Sequence, residues 1–106
     1  MKRSKTVQKK KQVKIPVITA RFYAGLKNLV NAAGIRLKGK NVGEALEDMR
    51  SKIKPLQEKE IFDDTRLIKS HFRIALNQKI LDNAKDLKVR VRNGDIIHIF
   101  PPAKGG

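Results

Sequence analysis

The chain has 106 residues with 25 Lys or Arg against 10 Asp or Glu, so its formal net charge is +15. A chain of this length is expected to form one small domain. Because it contains no Cys, disulfides, thiolate metal sites, a cysteine nucleophile and dithiol redox chemistry are excluded. No apolar run approaches the roughly 20 residues that span a bilayer, and the N-terminus lacks the apolar stretch of a secretory signal. We therefore expect a cytoplasmic protein that does not enter a membrane.

About half of the positive excess lies in residues 1–14. This segment contains no acid, and its basic residues are Lys2, Arg3, Lys5, Lys9, Lys10, Lys11 and Lys14. It is polar and has no hydrophobic periodicity, which predicts a disordered basic tail. One interpretation is that the tail binds nucleic acid or another anion. The other is that it is a solvated segment that aids solubility.

The first half of the folded region predicts a hairpin with a helical turn in its connection. Residues 17–23 alternate in polarity and are rich in β-branched types, which favours a strand. A short helix should follow and end at Gly34, because apolar residues recur at helical spacing at Leu26, Leu29, Val30 and Ala33. Residues 35–38 alternate again and predict the second strand.

The main helix is predicted from residue 42 to residue 53. Asn41 with Glu44 three residues later has the pattern of a capping box. One apolar stripe is formed by Val42, Ala45, Leu46, Met49 and Ile53. Pro55 should close the helix. Residues 55–70 have no clean period, so we expect an irregular segment there with scattered apolar anchors.

The remaining strands follow from short alternating segments. Residues 72–77 predict a strand, residues 80–81 a short one, and residues 87–91 a further one. Asn93-Gly94 is a tight-turn signal that leads into a final strand over 96–100. This order predicts an α+β architecture, in which the main helix covers one face of a mixed sheet. If the first and last strands lie side by side in parallel, the middle of the chain supplies the crossover.

Other candidate sites in the folded region are weak. Asp63-Asp64 has the residue types of a metal site or an acid–base pair, but adjacent carboxylates in a loop are usually solvated. His98 should face away from Ile97 and Ile99, where it is exposed or contacts a partner, because no second His or acid cluster accompanies it. The sequence has no phosphate-binding loop and no nucleophile–base pair, so it does not predict an enzyme.

The C-terminus is the strongest functional signal. We divide the chain into a tail over 1–14, a domain over 15–100 and a flexible arm over 101–106. Pro101-Pro102 should keep the start of the arm extended. Glycine has no Cβ, so the carboxylate of Gly106 is sterically unhindered and the end of the arm can enter a narrow channel.

These residues resemble the MoaD and ThiS-like family of ubiquitin-like sulfur carriers, whose member MoaD is the small subunit of molybdopterin synthase. The most specific match is Gly94-Asp95, an apolar strand and the ending Phe100-Pro101-Pro102-Ala103-Lys104-Gly105-Gly106. Phe22-Tyr23-Ala24, the predicted helix over 42–53 and Ile74-Ala75-Leu76-Asn77 are similar to the family's first strand, main helix and central strand. The resemblance covers about residues 15–106 and implies a β-grasp, ubiquitin-like fold.

The resemblance also implies a chemistry. In this family a separate enzyme adenylates the C-terminal glycine carboxylate with ATP, and the adenylate is converted to a thiocarboxylate that donates sulfur for molybdenum cofactor biosynthesis. Carried over, Gly106 is the reactive residue, and the residues that contact partners are Phe100, Pro101, Pro102, Ala103, Lys104 and Gly105. The implied partners are a MoaE-like large subunit, a MoeB-like adenylating enzyme and a sulfur donor protein. The chain itself would be a carrier that binds no cofactor or metal.

The sequence differs from the family pattern at Gln78, where the turn usually carries Gly, and at residues 88–92, which resemble an insertion. Its strong positive charge is also unusual. Two alternative functions stay open. One is a protein modifier joined to lysines of other proteins through Gly106. The other is a basic nucleic-acid-binding domain that uses residues 1–14 with Lys88, Arg90 and Arg92, although it has no recognised nucleic-acid motif.

Overall fold

Five strands and three helices make up the described part of the chain, residues 14–30 and 32–101 of a computed structural model. In chain order they are β1 (Val17–Phe22), α1 (Gly25–Val30), β2 (Gly34–Lys38), α2 (Val42–Lys52), α3 (Pro55–Ile61), β3 (Arg73–Leu76), β4 (Lys79–Leu81) and β5 (Ile96–Phe100). The predicted disorder of the tail lies outside these residues except at Lys14. The predicted arm also lies outside them except at Pro101.

The strands form one mixed sheet in the order β2-β1-β5-β3-β4. β1 pairs with β2 in antiparallel orientation and with β5 in parallel orientation. β3 pairs antiparallel with both β5 and β4. The predicted hairpin is confirmed. The first and last strands do lie side by side in parallel, an arrangement that the sequence had left open. The final strand therefore lies inside the sheet, with a neighbour on each side.

The core lies between one face of the sheet, here called the inner face, and the main helix. The inner face contributes buried side chains from all five strands, among them Ile18, Ala20, Phe22, Leu37, Ile74, Leu81, Ile97 and Ile99. Helix α2 contributes the predicted stripe, in which Val42, Ala45, Leu46 and Met49 are buried. Fully burying one such aliphatic side chain stabilises a fold by about 1.5–3 kcal/mol. This packing fixes which side of each strand faces outward.

Helix α2 begins where the capping pattern predicts. The side chain of Asn41 accepts a hydrogen bond from the amide of Glu44 at 2.8 Å. The carboxylate of Glu44 accepts from the amide of Lys40 at 2.8 Å, one residue before the cap. The two side chains therefore satisfy amides on both sides of the helix start. The helix ends at Lys52, one residue short of the prediction.

The prediction of an irregular segment after Pro55 is wrong at its start, because α3 occupies residues Pro55–Ile61. Pro55 ends α2 as predicted, but it also occupies the first turn of a new helix, where its missing N–H costs nothing. The side chain of Gln57 accepts from the amide of Lys54 at 2.8 Å and caps this helix. Leu56 is 77% exposed, so α3 presents no regular apolar stripe and its periodicity was not visible.

The predicted strand over 87–91 is also wrong. This segment is a loop whose backbone bonds the start of α2: the amide of Val42 donates to the carbonyl of Val89 at 2.9 Å, and that of Gly43 to the carbonyl of Leu87 at 2.8 Å. Leu87 and Val89 pack against the core and Val91 is buried in it. Residues 87–91 thus alternate in polarity because every second side chain packs on the core, although the segment pairs with no strand.

Gly34 does not end the first helix. Helix α1 ends at Val30, and Gly34 is the first residue of β2, opposite Arg21. A Cβ at Gly34 would lie 3.0 Å from the carbonyl oxygen of Ala20. The glycine therefore allows the close approach of β2 to β1 at the start of the hairpin.

Candidate functional site

The arm leaves the domain from β5, which is held on both sides. Ile97 pairs with Ala20 of β1 and Leu76 of β3, and Ile97 and Ile99 are fully buried. Phe100, the last residue of the strand, and Pro101 are half-buried. The predicted site residues Phe100 and Pro101 therefore begin the arm on a fixed strand. Pro102, Ala103, Lys104, Gly105 and Gly106 lie outside the described residues.

An aromatic cluster surrounds the start of the arm. The hydroxyl of Tyr23 and Nδ1 of His98 share a hydrogen bond of 2.6 Å. The rings of Tyr23 and Phe100 stack with centroids 4.7 Å apart and planes 16° apart. Aromatic pairs of this kind are stabilised by about 0.5–1.5 kcal/mol beyond their buried area. The cluster therefore holds Phe100 against the outer face of the sheet, opposite the core.

The parallel register brings these three residues together. Phe22 lies opposite Ile99, so Tyr23, one residue after Phe22, lies beside Phe100. Ile97 and Ile99 face the core, which places His98 on the outer face as predicted. Sequence reasoning did not predict the contact of Tyr23 with His98. Its only signal was that Tyr23 and His98 both fall on outward positions of strands that could run in parallel.

Positive charge surrounds the aromatic cluster on the outer face of the sheet. The outward strand positions carry the cations Arg21, Arg36, Lys38 and Arg73, and none of the five strands contains an Asp or Glu. The apolar part of this face includes Ile80, which is 55% exposed. Aromatic residues and Arg are the types enriched in protein interfaces. The outer face therefore combines aromatic and apolar side chains with cations, which are residue types found in protein interfaces.

Asp63, one of the two adjacent carboxylates, forms a turn. Its Oδ1 accepts hydrogen bonds from the hydroxyl of Thr65 at 2.6 Å and from the amides of Thr65 and Leu67 at 2.8 and 3.1 Å. The Thr65 hydroxyl and these amides lower the pKa of Asp63 below its ordinary value. Within residues 14–30 and 32–101, no group of three potential ligands could hold a metal ion, and no helix is long and apolar enough to cross a bilayer.

A groove of about 600 Å³ between α2, α3 and the following loop is lined largely by charged residues. Arg50 forms ion pairs of 2.6 Å with both Glu47 and Glu58. These pairs join the two helices and raise the pKa of Arg50, mainly through the hydrogen bonds to Glu47 and Glu58. The groove therefore has a structural explanation, and neither Phe100 nor Pro101 lines it.

A family model described as the ThiS family matches residues 21–106. The chain belongs to the ThiS family. The match begins at Arg21, near the end of β1, includes β2 to β5 and reaches the C-terminal Gly105-Gly106. Comparison with curated protein sequences gives no significant match.

Solved structures show which fold this ThiS-family chain has. The solution structure of small archaeal modifier protein 1 from Methanosarcina acetivorans is similar with a TM-score of 0.74 and 20% identity, over 89% of this chain and 100% of that one. The Amycolatopsis orientalis BexX/CysO complex contains a chain with a TM-score of 0.67 and 20% identity, over 84% and 99%. The complex of subunits 1 and 2 of molybdopterin-converting factor from Helicobacter pylori gives 0.55 and 23%, over 85% and 99%.

These likenesses confirm the predicted α+β, β-grasp fold. The resemblance from the sequence is also confirmed, because the ThiS-family model matches residues 21–106 and the similar structures include a complex of the subunits of molybdopterin-converting factor. The TM-scores of 0.55–0.74 establish the fold, whereas identities of 20–23% do not specify a function within it.

Proposed function

We propose that the chain is a sulfur carrier that acts as the small subunit of molybdopterin synthase through the carboxylate of Gly106. The observation that carries this proposal is the ThiS-family match, which extends to the Gly-Gly terminus. The geometry supports it, because the strand before the arm is anchored on both sides and its last residue is held by Tyr23. In this proposal the arm, which Pro101-Pro102 predicts to be extended, presents the carboxylate of Gly106 at a distance from the sheet.

The chemistry proceeds in two displacements. A carboxylate oxygen of Gly106 attacks the α-phosphorus of ATP, forming an acyl-adenylate and releasing pyrophosphate. Hydrosulfide delivered by the sulfur donor protein then attacks the carbonyl carbon, AMP leaves with the electron pair of the broken C–O bond, and loss of a proton gives the thiocarboxylate. The first step gives the carbonyl a good leaving group. Glycine leaves the carbonyl accessible to both attacks, and the adenylation site belongs to a MoeB-like partner that uses ATP.

The outer face of the sheet is the docking surface for these partners in our proposal. The Helicobacter pylori and Amycolatopsis orientalis structures are complexes of similar chains with partner proteins, which supports a MoaE-like large subunit as one partner. The cations Arg21, Arg36 and Arg73 around the aromatic cluster favour an acidic rim on that subunit. The transfer site then lies on the large subunit, and this chain delivers the sulfur without catalysing its transfer.

A second function uses the same arm. The similarity to small archaeal modifier protein 1 favours conjugation of Gly106 to lysines of other proteins. An acyl-adenylate can react with an amine as well as with sulfur, so both functions share the activation step. Tail-dependent ladders of conjugates on immunoblots of cells expressing the tagged chain would support this role. Their absence under all growth conditions would leave the carrier role.

Intact-mass spectrometry tests the carrier proposal directly. The full chain is incubated with ATP, the adenylating enzyme and a sulfur source, and we expect a mass gain equal to the replacement of one oxygen by sulfur. The matched control lacks Gly105 and Gly106 and should keep the fold but gain no mass. Sulfur loading in the truncated control would contradict the proposal. The loaded chain is then mixed with a MoaE-like subunit and a pterin precursor, and failure to form the dithiolene product would exclude the molybdopterin role.

A further inference from the structure

We propose that the end of the domain opposite the arm binds the phosphate backbone of a nucleic acid. We call this end the basic pole and define it by Lys14, Lys40, Arg90 and Arg92. The proposal is independent of the chemistry at Gly106, because it concerns different residues and a different ligand.

Three chain segments build the basic pole. The amide of Gly39 donates to the carbonyl of Pro16 at 3.2 Å, and the amide of Val91 donates to the carbonyl of Lys40 at 3.1 Å. Asn41 and Arg90 form an isolated antiparallel bridge. These backbone contacts hold the segments before β1, after β2 and before β5 against one another. Residues far apart in the sequence are thus fixed at one end of the sheet.

Three of the four cations of the pole line a common pocket. A pocket of about 300 Å³ is lined by Lys14, Pro16, Lys40, Arg90 and Val91, with no acid in its lining. All four cations of the pole are exposed. Each ion pair within the described ranges involves Arg50 or Lys52, so the four pole cations take part in none of them. The pocket thus presents several charges without an internal counterion.

The carboxylates adjacent to the pole in the structure bind backbone amides. Glu44 accepts from the amide of Lys40 at 2.8 Å. Asp95 accepts from the amide of Arg92 at 2.8 Å, and its other oxygen accepts from the side chain of Asn77 at 3.2 Å. These acids shape the loops and do not contact the charged ends of the cations, which leaves those ends available to an external anion.

The pole and the arm lie at opposite ends of the central strands. β1 and β5 run in parallel from the pole, near Val17 and Asp95, towards Tyr23 and Phe100. With a rise of about 3.3 Å per residue, the strands separate the two ends by roughly 20 Å. A polyanion on the pole therefore does not need to displace a protein that holds the arm.

The charge pattern favours a phosphate polymer over a small anion. Residues 1–13, which directly precede the pole in the sequence, add Lys2, Arg3, Lys5, Lys9, Lys10 and Lys11 and no acid. A row of phosphates can satisfy many cations at once and releases condensed counterions when it binds. The pole residues include no aromatic side chain for base stacking, so we infer binding to the backbone without sequence preference.

Fluorescence anisotropy with a labelled 30-nucleotide single-stranded RNA tests the proposal over a series of salt concentrations. We expect the full chain to bind with an affinity that falls steeply with salt. In the variant K14Q/K40Q/R90Q, three phosphate contacts should be lost. The slope of log affinity against log salt should then become less steep by about 2, with roughly tenfold weaker binding at moderate salt.

A variant of equal net charge provides the matched control. K27Q/K59Q/R66Q removes two Lys and one Arg from exposed positions outside the pole and should bind RNA nearly as well as the unmodified chain. Both variants should retain the circular dichroism spectrum and sulfur loading, so a failure here is distinct from a failure of the carrier proposal. Equal weakening by both variants would overturn the proposal, because only total charge would then matter.

Two further outcomes would also overturn it. One is an absence of salt-sensitive binding to the RNA. The other is pole-dependent binding to phosphatidylserine vesicles without binding to RNA. The vesicles are a necessary comparison because Ile15, next to Lys14, is 47% exposed and could contact lipid.

Discussion

The hydroxyl of Tyr23 and Nδ1 of His98 lie 2.6 Å apart across the parallel pair of β1 and β5. Tyr23 also stacks on Phe100, from which the arm departs. One side chain thus connects the end of the first strand to two positions of the last. This connection fixes the outer-face surface that we propose for partner docking.

Replacing Tyr23 by Phe should remove the hydrogen bond and keep the stacking. We expect a loss of about 0.5–1.5 kcal/mol in the free energy of unfolding, measured by urea denaturation. Tyr23→Ala should destabilise the chain further, because the contact with Phe100 is also lost. If Tyr23→Phe has no effect and Tyr23→Ala costs nothing either, the cluster does not stabilise the start of the arm.

Gly39 allows the close approach of the chain after β2 to α2. A Cβ at this position would lie 2.5 Å from the amide nitrogen of Ala45 and 2.9 Å from the carbonyl carbon of Glu44. Because both atoms belong to the backbone, Gly39→Ala should destabilise the fold by about 1–3 kcal/mol or more. Thermal unfolding followed by circular dichroism measures the effect.

Gly25→Ala is the matched control for this change. No heavy atom would lie within 4 Å of the added Cβ at Gly25, which is the first residue of α1. We expect unchanged stability or a gain of up to about 1 kcal/mol, since Ala restricts the unfolded chain. Equal destabilisation by both substitutions would show that contact with the backbone of α2 is not the cause.

Asp63 should make stability depend on acidic pH. Its folded-state pKa is lowered, first by the hydroxyl of Thr65 and then by the backbone amides that donate to it. The carboxylate therefore stabilises the folded state above its unfolded pKa of about 3.9. This contribution is lost as the pH falls through the lower folded-state pKa.

Melting temperatures of the unmodified chain and Asp63→Asn between about pH 2 and pH 6 test this expectation. Asn cannot carry the charge, so the unmodified chain should lose more stability than the variant as the pH falls. The difference between the two should shrink at the acidic end of the range. Parallel curves over the whole range would contradict a role for the Asp63 charge.

The sequence was sufficient to predict elements with one clear apolar face. The stripe of α2, its Asn41 cap and the alternation of β5 are local patterns that directly reflect burial. Helix α3 was missed for two reasons. Leu56 is exposed, so the helix has no apolar stripe. A proline such as Pro55 is compatible both with the end of one helix and with the first turn of the next. The loop over 87–91 was misassigned because its backbone partners lie at the start of α2, far away in sequence.

Part of the candidate site could likewise be predicted from the sequence, and part could not. The reactive role of Gly106 is implied by the family resemblance, and the extended start of the arm is predicted from Pro101-Pro102. Both remain predictions about residues that lie mostly beyond Pro101. The contact of Tyr23 with His98, which are 75 residues apart, depends on the register of two parallel strands. Nothing local in the sequence specifies that register, and only the assembled sheet brings the two side chains together.

The parallel arrangement of β1 and β5 also has a mechanical consequence. Because the chain enters β1 at one end of the sheet and leaves β5 at the other, tension between the N-terminus and the arm acts along the strands. The hydrogen bonds of this pair are then loaded together in shear, whereas a hairpin pulled open at its end loses them one at a time. An enzyme that pulls on the arm while the N-terminal end is held therefore loads the whole hydrogen-bond ladder between β1 and β5 at once.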